Sequence, residues 1–171
     1  MLRGLHRTVI STPDLEQSVQ FYRDLLGLKV LTRGSWSGNW ESADQLTNQE
    51  ESAARWVMLS AGNTNLEIVQ YDSPVPAPRE PDRPVIEHGI SRICFEVTNI
   101  HRMFEDLVAA GVHFDCPLQY QDDLGITTYT RDPDGNVIEL VEYPDRYHEE
   151  ALQLSRRERA PQTPATGSKH R

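Results

Sequence analysis

Cysteine, basic charge and long apolar runs are all scarce in this chain of 171 residues. Its two cysteines, Cys94 and Cys116, are too few for a disulfide framework or a cysteine-based zinc site. The 17 Lys and Arg against 26 Asp and Glu give a net charge of −9, which argues against a nucleic-acid or anionic-membrane surface. No stretch reaches the ~18 apolar residues that cross a bilayer, and Met1–His6 lacks an apolar secretory segment. We therefore expect a soluble, cytoplasmic globular protein that binds neither nucleic acid nor membrane.

What the chain does contain is an internal repeat. The segment Arg7–Leu15 (RTVISTPDL) matches Arg92–Ile100 (RICFEVTNI), and each is an alternating strand pattern followed by a polar helix cap. Apolar residues then recur at helical spacing in both copies, and a glycine ends each helical pattern. Each copy closes on a strand that bears one glutamate, Leu66–Tyr71 (LEIVQY) and Ile138–Tyr143 (IELVEY). A strand, a helix, strands and a final glutamate-bearing strand are therefore predicted twice.

The segments outside the repeat differ in composition. Five prolines between Asp72 and Glu87 exclude a central strand or a helix and predict an extended linker. The residues 132–136 (DPDGN) predict a turn that joins two hairpin strands. The predicted units are a first module (1–72), the linker (73–87), a second module (88–143) and a charged tail (144–171), helical over 146–159 and disordered after 160.

These motifs resemble the vicinal oxygen chelate superfamily, which includes glyoxalase I, bleomycin-binding proteins and extradiol dioxygenases. The matching phrases lie in Gly4–Arg7, Phe21–Leu28, His88–Ile90 and Arg131–Leu140, and they agree with the family in order and spacing. The resemblance implies an α+β fold of two tandem βαβββ modules, the glyoxalase/bleomycin resistance/dioxygenase fold, around a cup-shaped pocket. It also implies a small-molecule substrate or ligand and a homodimer. This fold serves enzymes and binding proteins alike.

Four positions hold a divalent metal in the family's metalloenzymes, usually as His, Glu or Gln, His, and Glu. The last strands of this chain supply Glu67 and Glu139, as the family pattern requires, but the first strands supply Arg7 and Arg92. A guanidinium has no lone pair for a metal and stays protonated. His6 does not restore the site, because neighbouring residues of a strand face opposite sides. We therefore predict no metal or other cofactor, and an arginine–glutamate cluster that neutralises the floor of the cup; a metal with unusual ligands is the disfavoured alternative.

These four residues are the candidate catalytic groups. We expect Arg7 and Arg92 to be buried and to stabilise an enolate-like oxyanion, while Glu67 or Glu139 moves a proton at the adjacent carbon. That chemistry is typical of a metal-independent lyase or isomerase acting on a carboxylate, enolate or phenolate. One alternative is a non-catalytic protein that binds an antibiotic or aromatic compound, and another is a metal-dependent glyoxalase, epimerase or dioxygenase. Two alternatives give the four charged residues no catalytic role: they pair only with one another, or they lie on the solvated surface.

Five further residues are candidates for substrate binding. Trp36 and Trp40 belong to the segment Gly34–Trp40, expected after the second strand, where their indoles either cover a ligand at the rim or pack beneath their own loop. Strand alternation places three polar residues on the same side as the four charges, where they either bind substrate or line a wall: Ser11, Cys94 and Glu96. Cys94 has no histidine partner that would activate its thiol as a nucleophile.

Overall fold

The computed structural model describes residues 1–122, 125–144 and 150–152, which form two four-stranded sheets. In chain order the elements are β1 (Arg7–Ser11), α1 (Leu15–Gln20) with a π-helical turn (Phe21–Leu25), β2 (Lys29–Trp36), α2 (Glu41–Thr47), β3 (Ala53–Ser60), β4 (Asn65–Ser73), β5 (Ile93–Glu96), α3 (Ile100–Ala109), β6 (Gln119–Gln121), β7 (Gly125–Arg131) and β8 (Val137–Glu142). The sheet orders are β1-β4-β3-β2 and β5-β8-β7-β6, with β1 parallel to β4 and β5 parallel to β8. The predicted α+β fold of two βαβββ modules is confirmed.

The second strand of the first module runs further than expected. Because β2 continues to Trp36, the segment Gly34–Trp40 does not begin after the strand, and that prediction is wrong. The physical reason lies in the cross-strand partner of Gly34, which is Trp56 on β3. A Cβ at Gly34 would come within 2.4 Å of the Trp56 indole, so the glycine makes room for a ring lying against the strand. The additional helix α2 follows this strand and precedes β3.

The helix that follows the first strand of each module is anchored by a side chain from the last strand. On β4, Gln70 Oε1 accepts the N–H of Leu15 at 2.9 Å. At the equivalent position of β8, the Glu142 carboxylate accepts the N–H groups of Asn99 and Ile100 at 2.7 and 2.9 Å. The first N–H groups of a helix have no partner within the helix and need such acceptors. The sequence repeat thus extends to the way each helix is fixed to its sheet.

The helix-facing sides of the two sheets share one hydrophobic core. The predicted core residues of the strands are buried in it or packed against it: Ile10, Leu66, Ile68, Phe95, Val97, Ile138 and Leu140. The two helical regions contribute Val19 and Tyr22 from the first module and Ile100 and Leu107 from the second. Because both modules contribute to one cluster, burial of apolar surface holds them together.

A buried polar contact also joins the first module to the predicted DPDGN turn of the second. Tyr22 Oη donates a hydrogen bond to Asp132 Oδ2 at 2.7 Å. The same carboxylate accepts the N–H groups of Asp134 and Asn136, which confirms the hairpin turn between β7 and β8. Burial and the Asp132 carboxylate raise the pKa of Tyr22 well above its ordinary value, so its hydroxyl stays a donor.

The segments that bracket the modules are described in part. Strand β4 ends at Ser73 and β5 begins at Ile93, on either side of the proline-rich segment. The helix predicted for 146–159 and the disorder predicted after 160 lie outside the described residues, apart from 150–152. In the described part of the chain, no helix has both the length and the apolar character needed to span a bilayer.

Replacing Tyr22 by Phe should destabilise the fold, because it removes a hydrogen-bond donor from the buried Asp132 carboxylate while keeping the ring. We expect the free energy of unfolding, measured by urea denaturation at pH 7, to fall by about 1–3 kcal/mol. Tyr120→Phe is the matched control, because the exposed Tyr120 hydroxyl lies 3.5 Å from His101 Nε2. Its effect should stay within about 0.5 kcal/mol. Equal losses in the two variants would contradict a special role for the buried contact.

Candidate functional site

The sheet faces that point away from the helices carry the four charged positions. Arg7 lies on β1 and Glu67 on β4, while Glu139 lies on β8 and Arg92 directly precedes β5. Their neighbours along each strand, such as Ile68 and Ile138, are the buried core residues of the opposite face. Since side chains alternate along a strand, each charged residue lies on the face that the sequence predicted.

Within each module, the arginine binds the glutamate. Arg7 Nε lies 2.5 Å from Glu67 Oε2, and Arg92 Nε lies 2.6 Å from Glu139 Oε2. Throughout the described residues, no hydrogen bond or ion pair connects one of these pairs to the other. The structure therefore brings the four residues together as two ion pairs in equivalent places, and a single four-charge cluster stays a prediction.

The arginines are more exposed than the sequence predicted. The side chains of Arg7 and Arg92 are 43% and 40% exposed, whereas those of Glu67 and Glu139 are 14% and 15% exposed. The expected burial of the two arginines is therefore wrong. The reason is topological: β1 and β5 are edge strands, whereas β4 and β8 lie inside their sheets. Each guanidinium thus presents a half-open surface beside a largely covered carboxylate.

The Arg92–Glu139 pair has additional partners on β7. Thr127 Oγ1 donates a hydrogen bond to Glu139 Oε1 at 3.2 Å, and the Arg92 guanidinium carbon lies 5.3 Å from the centre of the Tyr129 ring. The hydrogen bond to Glu139 raises the pKa of Arg92, which keeps the guanidinium charged. Tyr129 pairs with Glu139 in the β7–β8 hairpin. Pairing residues outward from the DPDGN turn places Tyr129 opposite Glu139, so the sequence contained a signal for this partner. It was not identified in the sequence analysis.

Cys94 lies on the same face, next to the Glu139 carboxylate. Although Cys94 keeps an exposed surface, partial burial of its thiol, followed by the charge of Glu139, raises the pKa of this thiol to about 12. The thiol is therefore protonated near neutral pH, which makes it a weak hydrogen-bond donor and not a nucleophile. Glu96, two residues further along β5, accepts the N–H of Leu152 at 2.5 Å. Its carboxylate is thereby engaged by the described C-terminal residues.

The donor atoms at this site do not fit a divalent metal. In the described ranges, no group of three or more His, Cys, Asp and Glu side chains is placed to hold a metal ion. Each carboxylate, Glu67 or Glu139, already binds a guanidinium, which has no lone pair to offer a cation. His6 contributes Nδ1 to Arg7 at 3.3 Å, so the imidazole nearest the site contacts the arginine. Two half-open positive charges favour an anionic ligand at these positions.

Aromatic side chains occupy the far end of the first module's face. Trp36 packs edge-to-face on Tyr71 and Trp40, with ring centres 6.0 and 6.2 Å apart, and its Nε1 donates to Ser52 Oγ at 3.0 Å. Tyr71 lies four residues beyond Glu67 on β4, about 13 Å along the strand. Trp36 therefore packs on its own neighbours, whereas Trp40, 53% exposed, keeps a surface open to a ligand.

A cavity of about 870 Å³ lies beside the free edge of β1. Its lining includes Val9 and Ser11 of β1, much of the proline-rich segment, residues 133–137 and Arg92. Sequence reasoning treated that segment as a connector only. Proline content reports backbone stiffness and carries no signal for what the segment covers, so the sequence contained no indication of this wall.

Comparisons with known proteins agree with this architecture. A family model described as the Glyoxalase/Bleomycin resistance protein/Dioxygenase superfamily matches residues 4–140. The mitochondrial methylmalonyl-CoA epimerases of Mus musculus and Homo sapiens are 28% identical over 109 residues, which is 62% of this chain and 52% and 53% of theirs. The chain therefore spans about half the length of these curated relatives.

Solved structures extend the comparison to the whole fold. A glyoxalase family protein from Bacillus cereus has a TM-score of 0.76 at 21% identity, covering 84% of this chain and 95% of its own. A trypanothione-dependent glyoxalase I from Leishmania major has a TM-score of 0.55 at 25% identity, covering 82% of this chain and 87% of its own. These similarities show that the shared fold extends over more than four fifths of this chain.

The raised pKa of Cys94 should make its thiol slow to alkylate. A pKa of about 12 leaves about one thiol in 10,000 ionised at pH 8, against about a quarter for an ordinary cysteine. Since a thiolate of higher pKa is intrinsically more nucleophilic, we expect iodoacetamide to react about 100-fold more slowly than with an unstructured cysteine peptide. Peptide mass spectrometry between pH 7 and 10 should show the rate rising about tenfold per pH unit without a plateau.

Two variants test the cause of this shift. Glu139→Gln removes the neighbouring charge, so the pKa of Cys94 should fall and alkylation at pH 8 should accelerate. Glu67→Gln removes the equivalent carboxylate of the other module and should leave the rate unchanged. A plateau near pH 9 in the wild-type protein would contradict the raised pKa.

Proposed function

The chain belongs to the Glyoxalase/Bleomycin resistance protein/Dioxygenase superfamily, and from that premise we propose that it is a metal-independent lyase or isomerase for a small, oxygen-rich substrate. The substrate class is a carboxylate, enolate or phenolate. One observation carries the proposal: equivalent positions of the two modules each hold a half-open guanidinium against a covered carboxylate. The similarity to methylmalonyl-CoA epimerase, over about half its length, favours an isomerase within this class.

Arg92 is the better placed of the two oxyanion-binding groups. Its Nε is used by Glu139, while within the described residues its two terminal nitrogens have no hydrogen-bond acceptor. Arg7 binds Glu67 through Nε and also contacts His6 through Nη1. A guanidinium donates through a rigid fork, so the outer edge of Arg92 can receive a carboxylate or enolate oxygen. Positive charge fixed at this point stabilises negative charge that develops during the reaction.

The glutamate is proposed to move the proton. A carboxylate paired with arginine is a weak base, so the pairing must change when substrate binds. A substrate oxyanion that takes over the guanidinium releases Glu139, or Glu67 in the other module, to accept a proton from the carbon next to the oxyanion-bearing carbon. The glutamate becomes a carboxylic acid while the electron pair of the C–H bond forms the enolate. Returning that proton to the carbon skeleton completes an isomerisation.

A non-catalytic binding protein is the second candidate, and the aromatic end of the first module favours it. Trp40 keeps an open surface next to the edge-to-face pair Trp36 and Tyr71. Such rings suit a planar apolar or aromatic ligand, including an antibiotic. The two candidates differ in one measurable respect, because a binding protein returns its ligand unchanged. The homodimer and the cytoplasmic location stay predictions.

Substituting the glutamates should abolish carbon–hydrogen exchange in a suitable probe. We choose phenylpyruvate, an enolisable 2-oxo acid, in D2O, and follow loss of its C3 proton signal by NMR. Glu139→Gln or Glu67→Gln should slow the protein-catalysed exchange by about 100-fold or more in at least one case. Glu16→Gln is the matched control, because Glu16 pairs with Arg33 on the helix side of the sheet and should leave the rate unchanged. Full-rate exchange in both glutamate variants would exclude the mechanism, and saturable binding without exchange by the wild type would favour the binding protein.

Chelation separates this proposal from a metalloenzyme. Because the donor set at the two pairs suits no divalent cation, treatment with EDTA followed by gel filtration should leave the exchange rate within about twofold. Metal analysis of the same sample measures the metal content per chain. A rate that falls on chelation and returns with Mg²⁺, Mn²⁺, Ni²⁺ or Zn²⁺ would replace the proposal with metal-dependent chemistry.

A further inference from the structure

The cavity beside β1 has the size of a small-molecule site. Its volume of about 870 Å³ lies within the ~300–1,000 Å³ typical of ligand pockets. One wall is β1, which pairs with β4 on one side and leaves its other edge free. The proline-rich segment, which the proposed reaction does not use, and residues 133–137 of the second module form further parts of the wall. Arg92 borders the cavity and thereby connects it to the Glu139 ion pair.

Much of the wall is apolar, and its apolar side chains are only partly covered. Val75 and Ile90 line the cavity from the linker side and are 82% and 77% exposed, while Val9 lines it from β1 and is half exposed. Apolar side chains that surround one concave space and still contact water gain free energy when an apolar group covers them. The cavity therefore favours the apolar part of a ligand.

Polar side chains also line the wall, and the two arginines of the linker among them are engaged. Arg79 donates to Asn136 at 2.8 Å, and Arg83 donates to the Ile90 carbonyl at 3.2 Å and pairs with Glu87. Arg92 is set apart by its place beside the Glu139 carboxylate, and among the described residues its terminal nitrogens have no hydrogen-bond acceptor. An anionic head group is therefore directed to Arg92, at one border of the apolar space.

The backbone of β1 supplies a second polar feature. The N–H of Thr12 and the C=O of His6 bond to β4, so even-numbered residues point toward that strand. Because successive residues of a strand point their N–H and C=O groups in opposite directions, those of Val9 and Ser11 point toward the free edge. These groups can hydrogen-bond a carbonyl or amide in a chain that lies along the strand.

We propose that the ligand of this protein is an anion with an elongated, mainly apolar tail. Its carboxylate or enolate oxygen binds Arg92, and its tail lies in the cavity between the free edge of β1 and the proline-rich segment. This inference rests on the proposed function for its head group, because both use Arg92. It adds the shape of the substrate and assigns Val75 of the linker, and Ile90 shortly after the linker, to tail recognition.

A homologous series of straight-chain carboxylates, from butanoate to dodecanoate, tests the tail by calorimetry. Each added methylene should lower the dissociation constant by about three- to fourfold until the cavity is full. An affinity that does not change with chain length overturns the proposal. The result does not require turnover, so it is independent of whether these compounds are substrates.

Two variants, one in the linker and one shortly after it, locate the binding. Ile90→Glu places a charge in the cavity wall, and Val75→Glu does so from a second position. Ile86→Glu is the matched control, because Ile86 lies between Val75 and Ile90 in the chain, is 88% exposed and does not line the cavity. All three side chains are exposed, so the fold should persist, as circular dichroism can verify. Decanoate affinity should fall at least about tenfold in the first two variants and stay within about twofold in the control; equal effects in all three overturn the proposal.

Arg92→Leu distinguishes failure of the tail site from failure of the proposed function. The proposal expects this variant to lose butanoate binding and to weaken decanoate binding by about tenfold, while the increase with chain length persists. Unchanged butanoate and decanoate affinity in Arg92→Leu would overturn the head-group assignment and with it the proposed function. Butanoate binding that needs Arg92, combined with decanoate binding no tighter than butanoate, would overturn the tail site alone.

Discussion

In each module, an ion pair joins an arginine at the edge strand to a glutamate on an inner strand. The charged face of each sheet depends on this ion pair. Glu67 and Glu139 lie on β4 and β8, where a carboxylate without a counter-charge would be costly to bury. Arg7 and Arg92 approach from the free edges and neutralise them. Because each arginine is covalently part of the chain, its positive charge cannot dissociate from the site. The strand also directs the N–H donors of its guanidinium.

The two modules surround equivalent ion pairs with different chemistry. In the first module, the strand residues beyond Glu67 lead to an aromatic end at Trp36 and Tyr71. In the second, β7 places Thr127 and Tyr129 beside Glu139. Duplication of one βαβββ unit therefore preserves the charges while the neighbouring strands diverge. This asymmetry favours distinct roles for the two halves, since among the described residues the terminal nitrogens of Arg92 have no acceptor, whereas Arg7 also contacts His6.

Patterns that depend on chain periodicity could be predicted from the sequence, whereas patterns that depend on neighbouring strands could not. Alternation placed Glu67, Glu139 and the core residues on the correct faces, because a period of two determines which side a residue occupies. The exposure of Arg7 depends on β1 being an edge strand, which is a property of the sheet and not of the RTVIS segment. The strand extends through Gly34 for the same kind of reason, since Trp56 on β3 fills the space that the glycine leaves. The cavity wall depends on where the linker lies, which its composition does not encode.

A fixed guanidinium places a different demand on the protein than a bound metal. A metal exchanges its water for substrate while its protein ligands stay in place, whereas in the proposed reaction Arg92 shares its donors between Glu139 and a substrate oxyanion. Partial exposure is what permits this exchange, because an arginine fully enclosed with its carboxylate would have no donor left to offer. The position of Arg92 at the sheet edge thus determines two properties of its ion pair with Glu139. It sets how much desolvation the pair requires and how accessible the guanidinium is to a ligand. In the proposed reaction, binding the anion and releasing the base are therefore one event, and a tail held by the adjacent cavity supplies binding free energy that can offset the loss of the Arg92–Glu139 contact.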